Sequence, residues 1–364
     1  MVSARPQVDA MTLYSPGQSL EDARRASGRE KMIKLASNES LWGPSARAIS
    51  AVQAALKTIQ YYPPVQPQAL VEALADVFEF HPEEILVGNG ADEILRLVAT
   101  AYSVPGDEII YPSPSFSAYR HSTMLSGATP VEVPLAEDGA NDLERILDAV
   151  TSKTRIVYLC SPNNPTGTPF GVKAWGNYLA NIPDTVLTVV DAAYREFQND
   201  PVPDYGAAIH RGKPVVMVRT FSKLYALAGF RVGWGAAPAP VIEALRKVRE
   251  PFSLNALGAL AALVSLEDRE YFRQVLTETK DARRHLLARL DDAGMEYFRT
   301  ESNFVTIRVK NPERMHQALL GEGYVIRPTT SFGLPDAIRV TLAPQEILDD
   351  FWQAFVRCRS RGLA

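Results

Sequence analysis

The chain of 364 residues carries 38 lysines and arginines against 42 aspartates and glutamates, which gives a formal net charge of −4. Hydrophobic residues make up 46% of the sequence and charged residues 22%, as is usual for a soluble globular protein of about two domains. The sequence has no basic excess and no Lys/Arg cluster, so it gives no indication of nucleic-acid or membrane-surface binding.

The cysteines and the apolar runs bear on metal content and location. Cys160 and Cys358 are too few for a disulfide framework, and neither stands in a CxxC or His-rich metal spacing. The N-terminal residues lack the charged and apolar regions of a signal peptide, and no apolar run approaches the ~20 residues of a membrane helix. We therefore expect a cytoplasmic protein without a metal site.

Short β-branched runs alternate with helical stretches through the first two thirds of the chain. Such near-continuous apolar runs are typical of strands buried on both faces of a largely parallel sheet. Strands are predicted at residues 85–87, 108–111, 155–159, 187–190 and 215–218, and helices at 92–102 and 143–150. The alternation predicts an α/β domain with right-handed crossovers, which we assign to residues 45–251.

The pattern changes after Pro251, which we take as a hinge. Helices are predicted at 255–266 and 269–293, strands at 303–309, 324–327 and 337–341, and a final helix from residue 344. This order predicts a smaller α+β domain of residues 252–364, completed by an N-terminal arm of residues 1–44.

Segment 88–93, Gly-Asn-Gly-Ala-Asp-Glu, follows the first predicted strand and begins a helix. Ligands of open α/β sheets bind beyond the carboxyl ends of the strands, and the free N–H groups and dipole of a helix start favour a phosphate. Gly90 would let the backbone approach that phosphate closely. An ordinary turn with Asp92 as the helix cap explains the same residues.

Further polar groups follow the next predicted strands. Segment 161–167, Ser-Pro-Asn-Asn-Pro-Thr-Gly, is a rigid turn in which Asn164 could donate a hydrogen bond to a ring oxygen, although such turns also occur without ligands. Asp191 ends a very apolar strand, where a carboxylate is costly without a positive partner such as a protonated pyridine nitrogen. Tyr194 could reach the same ring. The alternative for Asp191 is a helix cap.

Lys223 stands among apolar residues after the last predicted strand. An ammonium in such surroundings tends to lose its charge, which suits imine formation. Thr220, Ser222 and Arg231 supply hydroxyls and a guanidinium that suit a phosphate dianion. The alternative is a surface lysine with a solvated Arg231. Together with the earlier segments, these residues fit a phosphorylated pyridine aldehyde held as an imine, with an acidic partner for its ring nitrogen.

With these segments the sequence resembles fold-type-I pyridoxal-5′-phosphate (PLP) aminotransferases, and more narrowly histidinol-phosphate aminotransferases. The resemblance runs from about Tyr14 to the last helix, and it includes segments 34–39, 327–328, 333–335 and 338–341 beside those above. It implies an α/β fold in which a large PLP-binding domain has a mostly parallel central sheet sandwiched by helices. A smaller α+β domain completes that fold.

The resemblance implies a role for each residue of the cofactor site. Lys223 would form the internal aldimine and later shuttle a proton, Asp191 would hold the ring nitrogen protonated, and Tyr194 would hydrogen-bond the ring oxygen. The other implied contacts are Asn164 to the ring oxygen, Phe116 on the ring face, and Gly90, Ala91, Asp92, Thr220, Ser222 and Arg231 around the phosphate.

The resemblance also implies a homodimer and an anion site. Tyr62 matches a tyrosine that reaches the phosphate from the partner subunit. Arg339 matches the arginine that binds the substrate's carboxylate or phosphate, and Arg327 would be a second anion contact. Tyr14 and Asn38 would line the same pocket.

This chain departs from the histidinol-phosphate subgroup where the substrate is chosen. Segment 40–42 reads Ser-Leu-Trp where the subgroup usually has Asn-Pro-Leu, and we expect Trp42 near the substrate entrance. Segment 62–64 reads Tyr-Pro-Pro instead of Tyr-Pro-Asp. Phe116 stands where a tyrosine is frequent, which removes a hydroxyl.

The activity implied is a ping-pong transamination between histidinol phosphate, or an aromatic amino acid, and a 2-oxo acid such as 2-oxoglutarate. A PLP-dependent lyase or decarboxylase that acts on an amino acid or an amino-acid phosphate shares this fold and is the alternative. A regulatory binding module is disfavoured, because Lys223, Asp191 and Arg231 are all present.

Overall fold

The computed structural model describes residues 2–11, 17–199 and 201–360. The α-helices within these residues are α1 (Pro6–Asp9), α2 (Leu20–Ser27), α3 (Ala46–Ala55), α4 (Gln68–Phe78), α5 (Ala91–Tyr102), α6 (Ala118–Ser126), α7 (Leu143–Asp148), α8 (Val172–Asn181), α9 (Tyr205–His210), α10 (Ala239–Val248), α11 (Ala256–Glu267), α12 (Arg269–Asp292), α13 (Pro312–Glu322) and α14 (Gln345–Cys358). Among the helices of these ranges, none has the length and apolar character needed to cross a membrane.

The strands form three separate sheets. In chain order they are β1 (Ile33–Lys34), β2 (Ile85–Gly88), β3 (Glu108–Ser113), β4 (Thr129–Pro134), β5 (Thr154–Cys160), β6 (Leu187–Asp191), β7 (Val215–Thr220), β8 (Gly233–Ala236), β9 (Phe304–Arg308), β10 (Tyr324–Val325), β11 (Arg327–Pro328) and β12 (Ala337–Thr341). Short 3-10 helices lie at Leu56–Thr58, Pro82–Glu84, Arg195–Phe197, Ala228–Phe230 and Thr330–Phe332.

The largest sheet has the order β2-β8-β7-β6-β5-β3-β4, and β8 runs antiparallel to both of its neighbours. Alternate residues of β5 belong to different hydrophobic clusters, with Val157 and Leu159 in one and Ile156 and Tyr158 in the other. Because side chains alternate across a strand, this sheet is buried by helices on both faces. The predicted α/β fold with a mostly parallel, helix-covered sheet is confirmed.

Two strands of this sheet were not predicted, each for a physical reason. β4 is an edge strand with prolines and several exposed residues, so it lacks a continuous apolar run. β8 reads Gly-Trp-Gly-Ala, and its glycines are required because neighbouring segments leave little room for a side chain. A Cβ at Gly233 would lie 2.3 Å from the nitrogen of Ala91, so only glycine lets β8 pass the start of α5.

The later part of the chain forms an antiparallel sheet of order β11-β12-β9. β12 coincides with the strand predicted at 337–341. The strand predicted at 324–327 is instead two short strands in different sheets, because β10 pairs in parallel with β1 while β11 pairs with β12. A second core lies behind this sheet and includes Leu286, Ile307, Val340 and Phe351.

Helix α11 packs differently from its expected place in the smaller domain. It lies against α3 and α4, and its Ala261, Ala262 and Leu266 join the core of the large sheet. The helical pattern after Pro251 predicts a helix, but it does not reveal the helix's packing partner. The division into domains at residue 251 stays a prediction.

Candidate active site

Three neighbouring strands of the large sheet end at one cavity. The last residues of β5, β6 and β7 are Cys160, Asp191 and Thr220, and all three line a cavity of about 390 Å³. Neighbouring parallel strands bring such residues together because their carboxyl ends meet at one edge of the sheet. The predicted site residues that line this cavity are Asn38, Ala91, Asp92, Phe116, Asn164, Asp191, Tyr194, Thr220, Ser222, Lys223, Arg231, Arg327 and Arg339.

Lys223 lies in the turn that follows β7. Its Nζ donates a hydrogen bond to the carbonyl oxygen of Ser37 at 3.1 Å and lies 5.7 Å from the ring centroid of Tyr194. Burial, followed by the positive charge of Arg339, lowers the pKa of Lys223 to about 8. The uncharged amine, which is the form that attacks a carbonyl carbon, is therefore more abundant near neutral pH than in an ordinary lysine.

Asp191 places a buried carboxylate at the wall of the cavity. Its Oδ2 accepts a hydrogen bond from the Tyr119 hydroxyl at 2.8 Å, and its Oδ1 accepts one from the backbone N–H of Ala193 at 3.1 Å. Burial raises the pKa of Asp191 to about 6, and both hydrogen bonds oppose that rise. A cation inside the cavity would stabilise the charged carboxylate.

One corner of the cavity brings together groups that can donate hydrogen bonds to an anion. Helix α5 begins directly after Gly90, which has φ +81°, and a Cβ at this position would lie 2.6 Å from Nη2 of Arg231. Arg231 contacts Oδ2 of Asp92 at 3.2 Å and Oγ of Ser222 at 3.5 Å. The first N–H groups of a helix have no partner within the helix, so this corner combines amide donors, a guanidinium and a hydroxyl.

Two hydrogen bonds orient the polar groups on the opposite side. The Nδ2 of Asn38 donates to the Tyr194 hydroxyl oxygen at 2.9 Å, and Arg339 donates to Oδ1 of Asn164. Burial raises the pKa of Tyr194 well above its usual range, so the hydroxyl keeps its proton and can donate it. The amide nitrogen of Asn164 is likewise left as a donor group at the cavity.

The two predicted anion-binding arginines lie side by side. Arg327 on β11 and Arg339 on β12 are direct partners in the antiparallel pair, so their side chains lie on the same face of the small sheet. Arg327 donates to Oγ of Ser331 at 3.0 Å, and Arg339 donates to the carbonyl oxygen of Ala36 at 2.7 Å. The guanidinium carbons lie 5.4 and 5.3 Å from the ring centroid of Phe332.

The sequence matches the family of class I and II aminotransferases over residues 30–355. It is 40% identical to the histidinol-phosphate aminotransferase of Symbiobacterium thermophilum over 363 residues, which covers 100% of each chain. It is 37% identical to that of Akkermansia muciniphila, covering 93% of this chain and 94% of the relative. The chain belongs to the class I and II aminotransferase family.

Comparison with solved structures agrees with the assignment of this chain to the aminotransferase family. The crystal structure of the Sinorhizobium meliloti histidinol-phosphate aminotransferase in complex with pyridoxal-5′-phosphate superposes with a TM-score of 0.89, at 26% identity, over 99% of this chain and 98% of that one. The Thermus thermophilus aspartate aminotransferase with maleate gives a TM-score of 0.84 at 24% identity, over 98% of this chain, and so shares the fold. The predicted fold-type-I architecture is confirmed.

Some residues expected at the aminotransferase site do not line the cavity. Gly90 lies directly behind its wall, against Arg231. Tyr62 is 82% exposed and stacks on Phe252 with ring centroids 4.9 Å apart. Tyr14 lies outside the described residues.

The structure describes two of the residues that depart from the histidinol-phosphate subgroup. Trp42 does not line the cavity; its Nε1 donates to Oε2 of Glu278 at 2.7 Å, and its ring packs beside the cluster of Tyr194 and Phe272. The expected position of Trp42 near the substrate entrance stays a prediction. Phe116 does line the cavity.

Several residues that line the cavity or bond to its lining residues were not predicted from sequence. Ser37 and Glu39 flank Asn38 within segment 34–39, so position along the chain could have identified them. Tyr119 and Phe332 carry no local signal, because each acts through a contact that only the fold creates. Within the described residues no group of His, Cys, Asp and Glu is arranged to hold a metal ion.

Proposed function

We propose that this aminotransferase uses PLP to transfer the amino group of histidinol phosphate to a 2-oxo acid such as 2-oxoglutarate, by a ping-pong mechanism. The observation that carries the proposal is the presence of Arg327 and Arg339 in the same cavity as Lys223. A phosphate monoester is close to a dianion at neutral pH and suits two guanidinium groups. Aromatic amino acids are the second class of donor that we propose, since Phe116 and Phe332 also line the cavity.

The residues of the cavity fit PLP. A cation beside Asp191 would stabilise its buried carboxylate, and a protonated ring nitrogen would supply that cation. The corner formed by the start of α5, Ser222 and Arg231 suits a phosphate, and Phe116 offers an aromatic face. Bound there, PLP would supply an electron sink for the negative charge that develops at the donor's Cα.

The chain's own residues would then bind, orient and move a proton. Lys223, with its lowered pKa, would carry a proton between the donor's Cα and the cofactor's C4′. Asp191 would keep the ring nitrogen protonated, and Tyr194 and Asn164 would donate hydrogen bonds to the ring oxygen. Because Arg339 also donates to Asn164, the anion site and the ring site would be aligned with each other.

The surface around Tyr62 supports a homodimer. Segment 49–65 carries the exposed apolar side chains Ile49, Leu56, Ile59, Tyr61, Tyr62 and Val65, and the exposed Phe252 stacks on Tyr62. Exposed apolar side chains concentrated in this way are typical of protein interfaces. We propose that a second copy of the chain covers this surface and that Tyr62 reaches the partner's cofactor phosphate.

The location that we propose is the cytoplasm. Both cysteines are free thiols and are buried. Free thiols are usual in reducing compartments, which supports this part of the proposal.

The proposal is tested by the half-reaction of the PLP-loaded protein. Histidinol phosphate, phenylalanine and tyrosine are added one at a time without an oxo acid, and the cofactor absorbance is followed. Histidinol phosphate should convert the lysine-bound cofactor to its amino form, and 2-oxoglutarate should restore it. Conversion by phenylalanine or tyrosine alone would reassign the donor, and no conversion by any of the three would contradict the proposed reaction.

A further inference from the structure

We infer that Phe332 is a specificity-determining residue, because its ring holds Arg327 and Arg339 together as one receptor for a doubly charged anion. The inference rests on the proposed function and adds to it the group that positions the two charges. Phe332 lines the same cavity as both arginines.

The backbone fixes the position of the Phe332 ring. Phe332 ends a 3-10 helix between β11 and β12, and its N–H donates to the carbonyl oxygen of Thr329 at 2.9 Å. The buried Thr329 hydroxyl contacts the carbonyl oxygens of Leu334 and Ala337 at 2.7 Å each. Gly333, with φ +87°, closes the turn in a conformation that favours glycine. The ring therefore stands on an anchored turn.

Both arginines contact this ring within cation–π range. The guanidinium carbon of Arg327 lies 5.4 Å from the ring centroid and that of Arg339 lies 5.3 Å from it, inside the limit of about 6 Å. Since these arginines are direct cross-strand partners, their positive charges repel each other. Attraction of each guanidinium to the same ring opposes that repulsion and restricts where the two groups point.

The ring should matter more for a dianion than for a monoanion. A phosphate can contact both guanidinium groups, whereas a carboxylate is satisfied by one. Arg339 is also held by the carbonyl oxygen of Ala36 and lies 5.3 Å from the ring centroid of Phe304, two contacts that do not involve the turn. Without the Phe332 ring, Arg339 should still bind a carboxylate, while joint binding of a phosphate should weaken.

The test measures binding of inorganic phosphate and of acetate to the PLP-loaded protein by calorimetry. The bound cofactor occupies its own phosphate corner, so the titrated phosphate reports on the second anion site. Phe332→Leu should weaken phosphate binding about 10-fold, which equals ~1.4 kcal/mol, and weaken acetate binding less than about 3-fold. Phe332→Tyr keeps the ring and should stay within about 2-fold of the unchanged protein for both anions.

A matched control removes a similar contact elsewhere. Arg219 lies 5.1 Å from the ring centroid of Phe78, and neither residue lines the cavity. Phe78→Leu should leave both affinities unchanged. If Phe332→Leu fails to retain the cofactor, Phe332→Met provides the same comparison.

Four results would overturn the inference: no phosphate binding by the unchanged protein, no weakening of phosphate binding by Phe332→Leu, equal weakening of both anions by Phe332→Leu, or weakening of phosphate by Phe332→Tyr as large as by Phe332→Leu. No amine donor is present, so the outcome is separate from that of the proposed function. Phosphate binding as expected without conversion of histidinol phosphate would keep the inference and reject the proposed donor. Conversion of histidinol phosphate, together with an unchanged affinity of Phe332→Leu for phosphate, would keep the proposed function and reject the inference.

Discussion

The hydroxyl of Tyr119 donates a hydrogen bond to Oδ2 of Asp191 at 2.8 Å, and both side chains are buried. Burial raises the pKa of Asp191 to about 6, and the bond from Tyr119 acts in the opposite direction. Tyr119 therefore helps to keep Asp191 negatively charged, the state that pairs with a protonated ring nitrogen.

Tyr119→Phe should move the acid limb of the pH profile to higher pH. Removing a bond to the charged form raises the pKa of Asp191, so a larger fraction of the carboxyl is protonated at a given acidic pH. We expect a shift of about one pH unit in the acid limb of kcat/KM and less than about 3-fold loss on the alkaline side. The measurement is kcat/KM between pH 5 and 9.

Tyr158→Phe is the control for that variant. Tyr158 stacks on Tyr119 with ring centroids 5.2 Å apart, and its hydroxyl donates to the carbonyl oxygen of Leu95 at 2.8 Å. Tyr158→Phe should lower the stability of the protein without shifting the acid limb of the kcat/KM profile. An equal shift in both variants would mean that the aromatic packing, and not the Tyr119 hydroxyl, sets the charge of Asp191.

Lys223→Ala should retain PLP but lose turnover. The phosphate corner at Arg231 remains, whereas the group that carries the proton is absent, so we expect at least about a 10³-fold fall in the single-turnover rate. Lys213→Ala removes an exposed lysine that pairs with Asp184, and its single-turnover rate should equal that of the unchanged protein. A rate for Lys223→Ala close to that of the unchanged protein would reject Lys223 as the catalytic lysine.

Asp191→Asn should stabilise the cofactor-free protein while abolishing activity. The folded-state pKa of Asp191 is raised from 3.8 to about 6, so the ionised carboxyl penalises folding above that pH. The penalty shrinks as the pH falls below about 6 and disappears below 3.8, where the group is protonated in both the folded and the unfolded state. We expect a gain on the order of 1–3 kcal/mol at pH 8 and little gain at pH 4, measured by denaturant unfolding. A variant less stable than the unchanged protein at pH 8 would contradict this.

Arg327→Gln should separate the two proposed donor classes. Loss of a charge-assisted contact to a phosphate should raise KM for histidinol phosphate by about 10- to 100-fold, whereas KM for phenylalanine should change less than about 3-fold. Arg308 lies on β9, the opposite edge strand of the same sheet, and its side chain pairs with Asp336; Arg308→Gln serves as the control. Equal increases for both donors would show that Arg327 does not recognise the phosphate.

The sequence predicted best what depends on continuous patterns along the chain. β6 was predicted because its residues are buried on both faces and therefore apolar throughout. Asp191 was predicted because a carboxylate at the end of such a strand is unusual. The edge strand β4 and the glycine-rich β8 lack that pattern, so they were missed.

What the sequence could not predict depends on contacts between distant segments. Tyr119 meets Asp191 across 72 residues, and nothing near Tyr119 marks it as different from other helical tyrosines. The contacts of Phe332 could not be predicted either, because they form only when β11 and β12 pair and bring two arginines beside its ring. The bond of Trp42 to Glu278 on α12 also joins distant parts of the chain, and no pattern near Trp42 predicts it.

The central claim, transamination of histidinol phosphate, is tested most directly by product stoichiometry. The PLP-loaded protein is incubated with histidinol phosphate and 2-oxoglutarate, and glutamate formation is compared with consumption of the donor over a range of both concentrations. The account predicts one glutamate per donor consumed and the parallel double-reciprocal lines of a ping-pong mechanism. Consumption of the donor without 2-oxoglutarate, beyond one equivalent per site, would contradict it.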